Sequence, residues 1–149
     1  MIFGFFNSFL FGVILISLID FIIFLFLKIN FFNALDIDEY FNDIFVQNHN
    51  FYMILLATIP VGYLFIYSPI KKLFEKIYLL VIIIATFGFY PQIGMQIGSY
   101  FFLQKEKTIT LGSTTFVADI LYIGKNHIYL KRAQIEKTIK IEKNLVTYN

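Results

Sequence analysis

The chain has no cysteine and no tryptophan among its 149 residues, and only 15% of them are charged. Without thiols there is no disulfide framework and no thiolate metal site, and the redox compartment leaves no mark. Histidine is nearly as scarce: His49 and His127 stand far apart in the sequence and make no ligand set. There is no H-E-x-x-H, no G-x-S-x-G and no phosphate-cradling glycine loop, so nucleophilic, metal-assisted and nucleotide chemistries lack their usual residues. No enzymatic activity, metal or cofactor is expected. Asp36, Asp38, Glu39 and Asp43 form an acidic run, but no glycine turn or later glutamate is in register for a calcium loop.

What the chain has in abundance is apolar surface. Hydrophobic residues make up 58% of it and the mean hydropathy is +0.73, whereas a soluble domain carries about a quarter charged residues. The apolar residues come in blocks, Ile2 to Leu27, Phe51 to Ile70 and Ile77 to about Leu103. A hydrocarbon core about 30 Å thick takes around 20 helical residues, so the sequence predicts three transmembrane helices over about 2–27, 51–70 and 77–103. The first block has no basic n-region, is about twice the length of a signal-peptide h-region and precedes no A-x-A site, which predicts a retained anchor. Pro60 and Pro91 fall inside the second and third blocks and predict kinks, while Pro69 falls at a helix end.

Between the first two blocks, residues 29–50 carry the acidic run and no Lys or Arg. Phe32, Leu35, Ile37, Tyr40, Ile44 and Phe45 recur near a 3.6 period, which predicts an interfacial helix lying against the membrane. From Thr108 the pattern changes to short alternating runs punctuated by Gly112-Ser113, Gly124-Lys125-Asn126, 131–137 and Lys143-Asn144. Phe116, Ala118, Ile120 and Tyr122 alternate onto one face, as do Ile128 with Leu130 and Ile139 with Ile141. The expected fold is therefore a membrane α-helical domain over 1–103, followed by a small C-terminal antiparallel β meander over 104–149, SH3-like or a partial barrel. A unit that small is expected to lean on a neighbour. Eight of the twelve basic residues follow the last apolar block, yet they alternate with apolar ones as on any solvated sheet face, so nucleic acid is not an expected partner.

Asp20 is the most informative polar residue, because a carboxylate within an apolar helix is costly and needs a partner. For antiparallel neighbours the same depth falls near Thr58 on the second block and near Tyr90, Gln92 and Gln96 on the third, which predicts an intramembrane polar cluster. Small residues predict close helix packing: Gly4, Ser8 and Gly12 on the first block, Gly94 and Gly98 on the third. Those ridges fit either one protomer or a homo-oligomer.

Positive-inside counting of Lys71, Lys72 and Lys76 with the N-terminus against Lys28, Lys105 and Lys107 is nearly a tie; the compact Lys71-Lys72 turn and the basic-free acidic loop favour an inside N-terminus and an outside C-terminus, and counting the whole basic tail reverses that. Together these features predict a multi-pass protein of a cell membrane, with a bacterial inner membrane as the setting. It is expected to be a non-catalytic accessory protein that docks through its helices into a membrane assembly, another membrane protein or copies of itself, and presents its β domain to a partner. Blocking of a pore-forming toxin is the immunity-type variant of that expectation. The alternative is a small homo-oligomeric ion channel whose third span lines the pore.

Overall fold

The computed structural model describes residues 2–49, 51–132, 135 and 137–148. Asn50, the expected end of the interfacial segment, and part of the expected 131–137 turn lie outside the described residues. The elements are α1 (Ile2–Leu27), a π-helical turn (Lys28–Asn33), α2 (Phe41–Asn48), α3 (Phe51–Ile66), α4 (Lys71–Thr86), α5 (Pro91–Phe102), β1 (Gln104–Leu111), β2 (Thr114–Ile123), β3 (His127–Lys131), β4 (Ile139–Glu142) and β5 (Val146–Tyr148). They divide into two compact units, one of residues 1–25 and 49–88, the other of residues 26–48 and 89–149.

The expectation of three transmembrane helices is overturned. Among the described residues, one helix, Phe3–Asn33, is long and apolar enough to cross a membrane. The second block yields a helix of 16 residues, about 24 Å at 1.5 Å per residue and short of a bilayer core. The turn 67–70 ends it, with Ser68 Oγ accepting from the Ile70 amide and Pro69 unable to continue the ladder. The third block is broken rather than kinked: α4 starts early, at Lys71, and a 3-10 turn (Phe87–Phe89) leads to Tyr90 in extended backbone, ψ 122°. Pro91 is the reason. Its ring disfavours helical backbone in the residue before it, while its fixed φ suits the first turn of a new helix.

The first unit is inside out by the standards of a water-soluble fold. α1 and α3 meet backbone to backbone: a Cβ on Gly12 would lie 1.7 Å from the Thr58 carbonyl oxygen, and one on Gly62 would lie 1.7 Å from that of Ser8. Ser8 and Thr58 are the polar residues at this seam, 2% and 1% exposed. Thr58 turns its hydroxyl back to the Leu55 carbonyl (2.7 Å), so it asks nothing of a neighbour. The Tyr78 hydroxyl of α4 donates to the Leu15 carbonyl (2.7 Å), and Phe65 lies edge-on to Tyr78 (5.1 Å). Apolar side chains face outward instead, with Leu56 72% exposed, and α4 has no buried residue at all among those described.

The second unit is built around a five-stranded antiparallel sheet of order β4-β3-β2-β1-β5. β1 to β4 follow one another as neighbours, and β5 returns beside β1 after a 3-10 turn at Lys143–Leu145. Ile109, Ala118, Ile120, Ile128 and Leu130 form the core of one face, with Phe116, Ile139, Ile141, Val146 and Tyr148 around them. Tyr122 does not join that face as alternation predicts. A register shift between Ile120 and Tyr122 inserts Leu121, so Tyr122 pairs with Tyr129 on the opposite side.

That opposite side is covered by residues 26–48 and α5. Phe32 packs on Tyr122 (5.1 Å), on Phe102 (5.2 Å) and on Phe31 (5.3 Å), with Phe31 and Phe32 both fully buried. Gly94 and Gly98 of α5 are buried here, and a Cβ on Gly98 would meet the Phe31 ring at 2.3 Å. The π turn ends in a Schellman closure: the Ile37 amide bonds the Phe32 carbonyl (2.8 Å), the Asp36 amide bonds that of Asn33 (3.2 Å), and Asp36 takes φ 53°. This closure buries Ile37 and accounts for Asp36 as a backbone requirement, since Asp tolerates left-handed backbone better than most side chains. The residues expected to lie on a membrane surface therefore serve as the second layer of the β unit, with Ile44 fully buried and Tyr40 exposed.

Candidate functional site

Three polar features stand out. The first is the Asp20–His49 pair of the helical unit. α1 carries Asp20, the residue just after α2 is His49, and His49 Nε2 lies 2.6 Å from Asp20 Oδ1. The rings of Phe24 (6.5 Å) and Phe51 (6.1 Å) flank the imidazole. A carboxylate and an imidazole at this distance make a strong hydrogen bond, and its strength rises where water is scarce. Of the expected partners, Thr58 bonds within its own helix, while Tyr90, Gln92 and Gln96 belong to the second unit and are exposed. In the sequence His49 is one of two separated histidines that make no ligand set, although it stands where a chain returning to the second apolar block passes the end of the first.

The second feature lies within the β unit. Residues 38 and 39 follow the Schellman closure and run along the sheet, where the Tyr129 hydroxyl donates to the Asp38 carbonyl (2.7 Å) and Lys140 Nζ approaches the same oxygen (3.3 Å). The Glu39 side chain is 6% exposed, and its Oε1 has no hydrogen-bond partner among the described residues. His127 Nδ1 stands 3.5 Å from that oxygen, too far for a good bond. Gly124 leaves the room, because a Cβ there would lie 2.5 Å from Oε1. A cavity of about 440 Å³ lined by Lys125, Asn126, His127, Glu142 and Lys143 opens on the far side of the imidazole. No nucleophile stands beside this pair, and among the described residues no three His, Cys, Asp or Glu side chains group to hold a metal.

Burial pushes the Tyr129 phenol well above its ordinary range, and the Glu39 and Asp38 carboxylates push it further; burial also raises Tyr122. The fold thus favours the protonated phenol. Its contribution is complete below the unfolded value near pH 10 and is lost as pH climbs above that. Alkaline titration followed by circular dichroism and phenolate absorbance should show the β unit weakening above about pH 10, and less steeply in Tyr129→Phe, which at neutral pH costs about 1 kcal/mol for the lost hydrogen bond. An identical alkaline limb in the variant would mean that Tyr129 is not the titrating group.

The third feature is a cleft of about 680 Å³ on the β unit, lined by Glu106, Val117, Asp119, Lys131, Arg132 and Ile135. A bulge shapes one wall: Glu106 takes φ 53° and its amide bonds Asp119 Oδ1 (2.8 Å). Arg132 lies over the Phe116 ring (4.8 Å), and Val117 is 60% exposed between these charges. Exposed apolar area rimmed by both signs of charge has the composition of a protein-docking surface.

Comparison of the chain with known protein families, with curated proteins and with solved structures finds no match in any of them.

Proposed function

We propose that the protein is a non-catalytic membrane-embedded interaction protein, its helical unit immersed in the bilayer and its β unit offered to a protein partner. The observation that carries this reading is the outward-facing apolar surface of the helical unit around a seam of small and polar residues, which lipid solvates and water does not. α1 serves as a retained anchor rather than a leader, since the same helix ends in Phe31 and Phe32, core residues of the β unit.

The helix Phe3–Asn33, the one among the described residues long and apolar enough to cross a membrane, is the span of this reading, and an inside N-terminus remains the orientation that positive-inside reasoning favours. The pore-lining alternative loses its residues: Gly94 and Gly98 are covered by the chain's own packing, and the block they belong to is broken at Tyr90.

Crosslinking in intact membranes, followed by purification in mild detergent, tests the reading. The protein should remain in the pellet after alkaline carbonate washing, and a foreign protein should co-purify in fixed stoichiometry. Val117→Asp with Arg132→Glu should remove that partner and leave the melting temperature within a few degrees. Extraction by carbonate, or steady single-channel currents from the purified protein in bilayers, would overturn it.

A further inference from the structure

A second cavity, of about 660 Å³, lies within the helical unit between α1 and α3, lined by Gly4, Ser8, Ile59, Pro60, Tyr63 and Tyr67. Its volume is that of a small-molecule site. It exists because the two helices touch backbone to backbone at Gly12 and Gly62 but are held apart at Gly4 by the Tyr67 ring, 3.8 Å from where a Cβ would stand. Apart from the Ser8 hydroxyl and the phenols of Tyr63 and Tyr67, the walls offer little to water. Tyr63 and Tyr67 are half-exposed, with rings 6.1 Å apart, so the aromatic end of the groove is open.

Charge is concentrated just past that end. The Lys71 amide bonds the Ser68 carbonyl (3.2 Å) and closes the turn that starts α4, which brings Lys71 and Lys72 within one turn of Tyr67. Both are exposed, and among the described residues neither has a carboxylate within ion-pairing distance. They also occupy the first turn of α4, which holds no acidic residue, where the helix dipole is already positive. Two cations without an ion pair at the mouth of an apolar groove, with Glu75 one turn further along α4, match the chemistry of one molecule class, a fatty chain with an anionic head.

Resting on the reading that this unit lies in the bilayer, we infer that the groove between α1 and α3 takes one acyl chain of an anionic phospholipid whose headgroup sits on Lys71 and Lys72. Hydrocarbon chains are the only apolar solute at bilayer concentration, and a basic pair at the headgroup layer selects negative lipids. The lipid would extend the seam that the Gly12 and Gly62 contacts begin, so it fastens α3 to α1 at the end where the protein's own packing is thinnest.

Native mass spectrometry of the full-length protein in mild detergent, titrated with phosphatidylglycerol or with phosphatidylcholine of the same chains, tests this. The expected result is one retained lipid per protomer, with phosphatidylglycerol held at least about tenfold more tightly. Lys71→Gln with Lys72→Gln should bring the two lipids level. Gly4→Leu, whose Cβ has room, should fill the groove and abolish retention of both without lowering the melting temperature.

Equal binding of the two lipids by the wild type, unchanged retention in Gly4→Leu, or a dimer that retains no lipid and is broken by Gly4→Leu would each overturn the inference, the last by seating a second copy in the groove. The lysine variant lies outside the helix seam and keeps the test decisive if Gly4→Leu fails to fold. Carbonate washing of the same membranes separates the two levels: extraction defeats the bilayer reading itself, whereas a pelleted protein without lipid preference defeats only this site.

Discussion

Gly12→Ala and Gly62→Ala should each unfold the helical unit or cost it more than about 3 kcal/mol, the upper part of the range for overpacking. The added methyl would stand 1.7 Å from a carbonyl oxygen in either case, on Thr58 or on Ser8. What it meets is backbone in the middle of a helix rather than the end of a movable side chain, so relief requires the whole of α3 to shift from α1. Gly4→Ala is the internal control, because its nearest neighbours would be at 3.8 Å, and it should change little. Thermal melts in detergent, with limited proteolysis of the α3–α4 hairpin as readout, would show the contrast. Comparable melting of all three variants would mean that the two helices are not in backbone contact.

Phe32→Ala carries the second large effect, a loss of about 3–5 kcal/mol from the β unit, as for a large buried aromatic. Its ring is fully buried among Phe31, Phe102 and Tyr122, joining the π turn, α5 and β2. Phe102 and Tyr122 close the same cluster between them (5.5 Å), so removing the ring at its centre leaves a cavity that a five-stranded sheet is too small to collapse around. Hydrogen exchange should report the loss as faster exchange in β2 and β3 together with residues 37–44. Exchange confined to residues 28–36 would show that the segment merely rests on the sheet. The same contact ties the acidic segment to the sheet, which is why the segment does not form the separate surface helix that its 3.6 periodicity suggests.

Periodicity reads correctly where one neighbour dominates and fails where two compete. The alternation in Ile128 with Leu130 and in Phe116, Ala118 and Ile120 describes the sheet core because that face sees only the sheet's own curvature. Tyr122 breaks the pattern because a bulge at Leu121 serves a second layer, and a bulge leaves no mark on hydropathy. Counting apolar residues also missed what ends a helix. Phe51 to Ile70 and Ile77 to Leu103 are long enough in composition, but Pro69 and Pro91 divide them by backbone geometry, to which a hydropathy average is blind.

The polar residues show the same division. Asp20 was legible as a residue in need of a partner, since the cost of a charge in an apolar helix is local. Its partner was not legible: His49 reaches it because α3 packs on α1 through Gly12 and Gly62, and that crossing is set by two contacts between residues nearly fifty positions apart. Glu39 is less visible still, an ordinary loop carboxylate until the Schellman turn at Asp36 carries it under His127.

By itself the sequence determined the apolar character of the first helix and the β character of the C-terminal strands, because each follows from local composition and short-range pattern. Only the tertiary structure decided that residues 26–48 join the sheet, that Gly12 packs on Thr58 and Gly98 on Phe31, and that among the described residues one helix rather than three has the reach of a bilayer. Those outcomes depend on which surfaces meet, and pairing energies between distant segments appear only once the chain has folded back on itself.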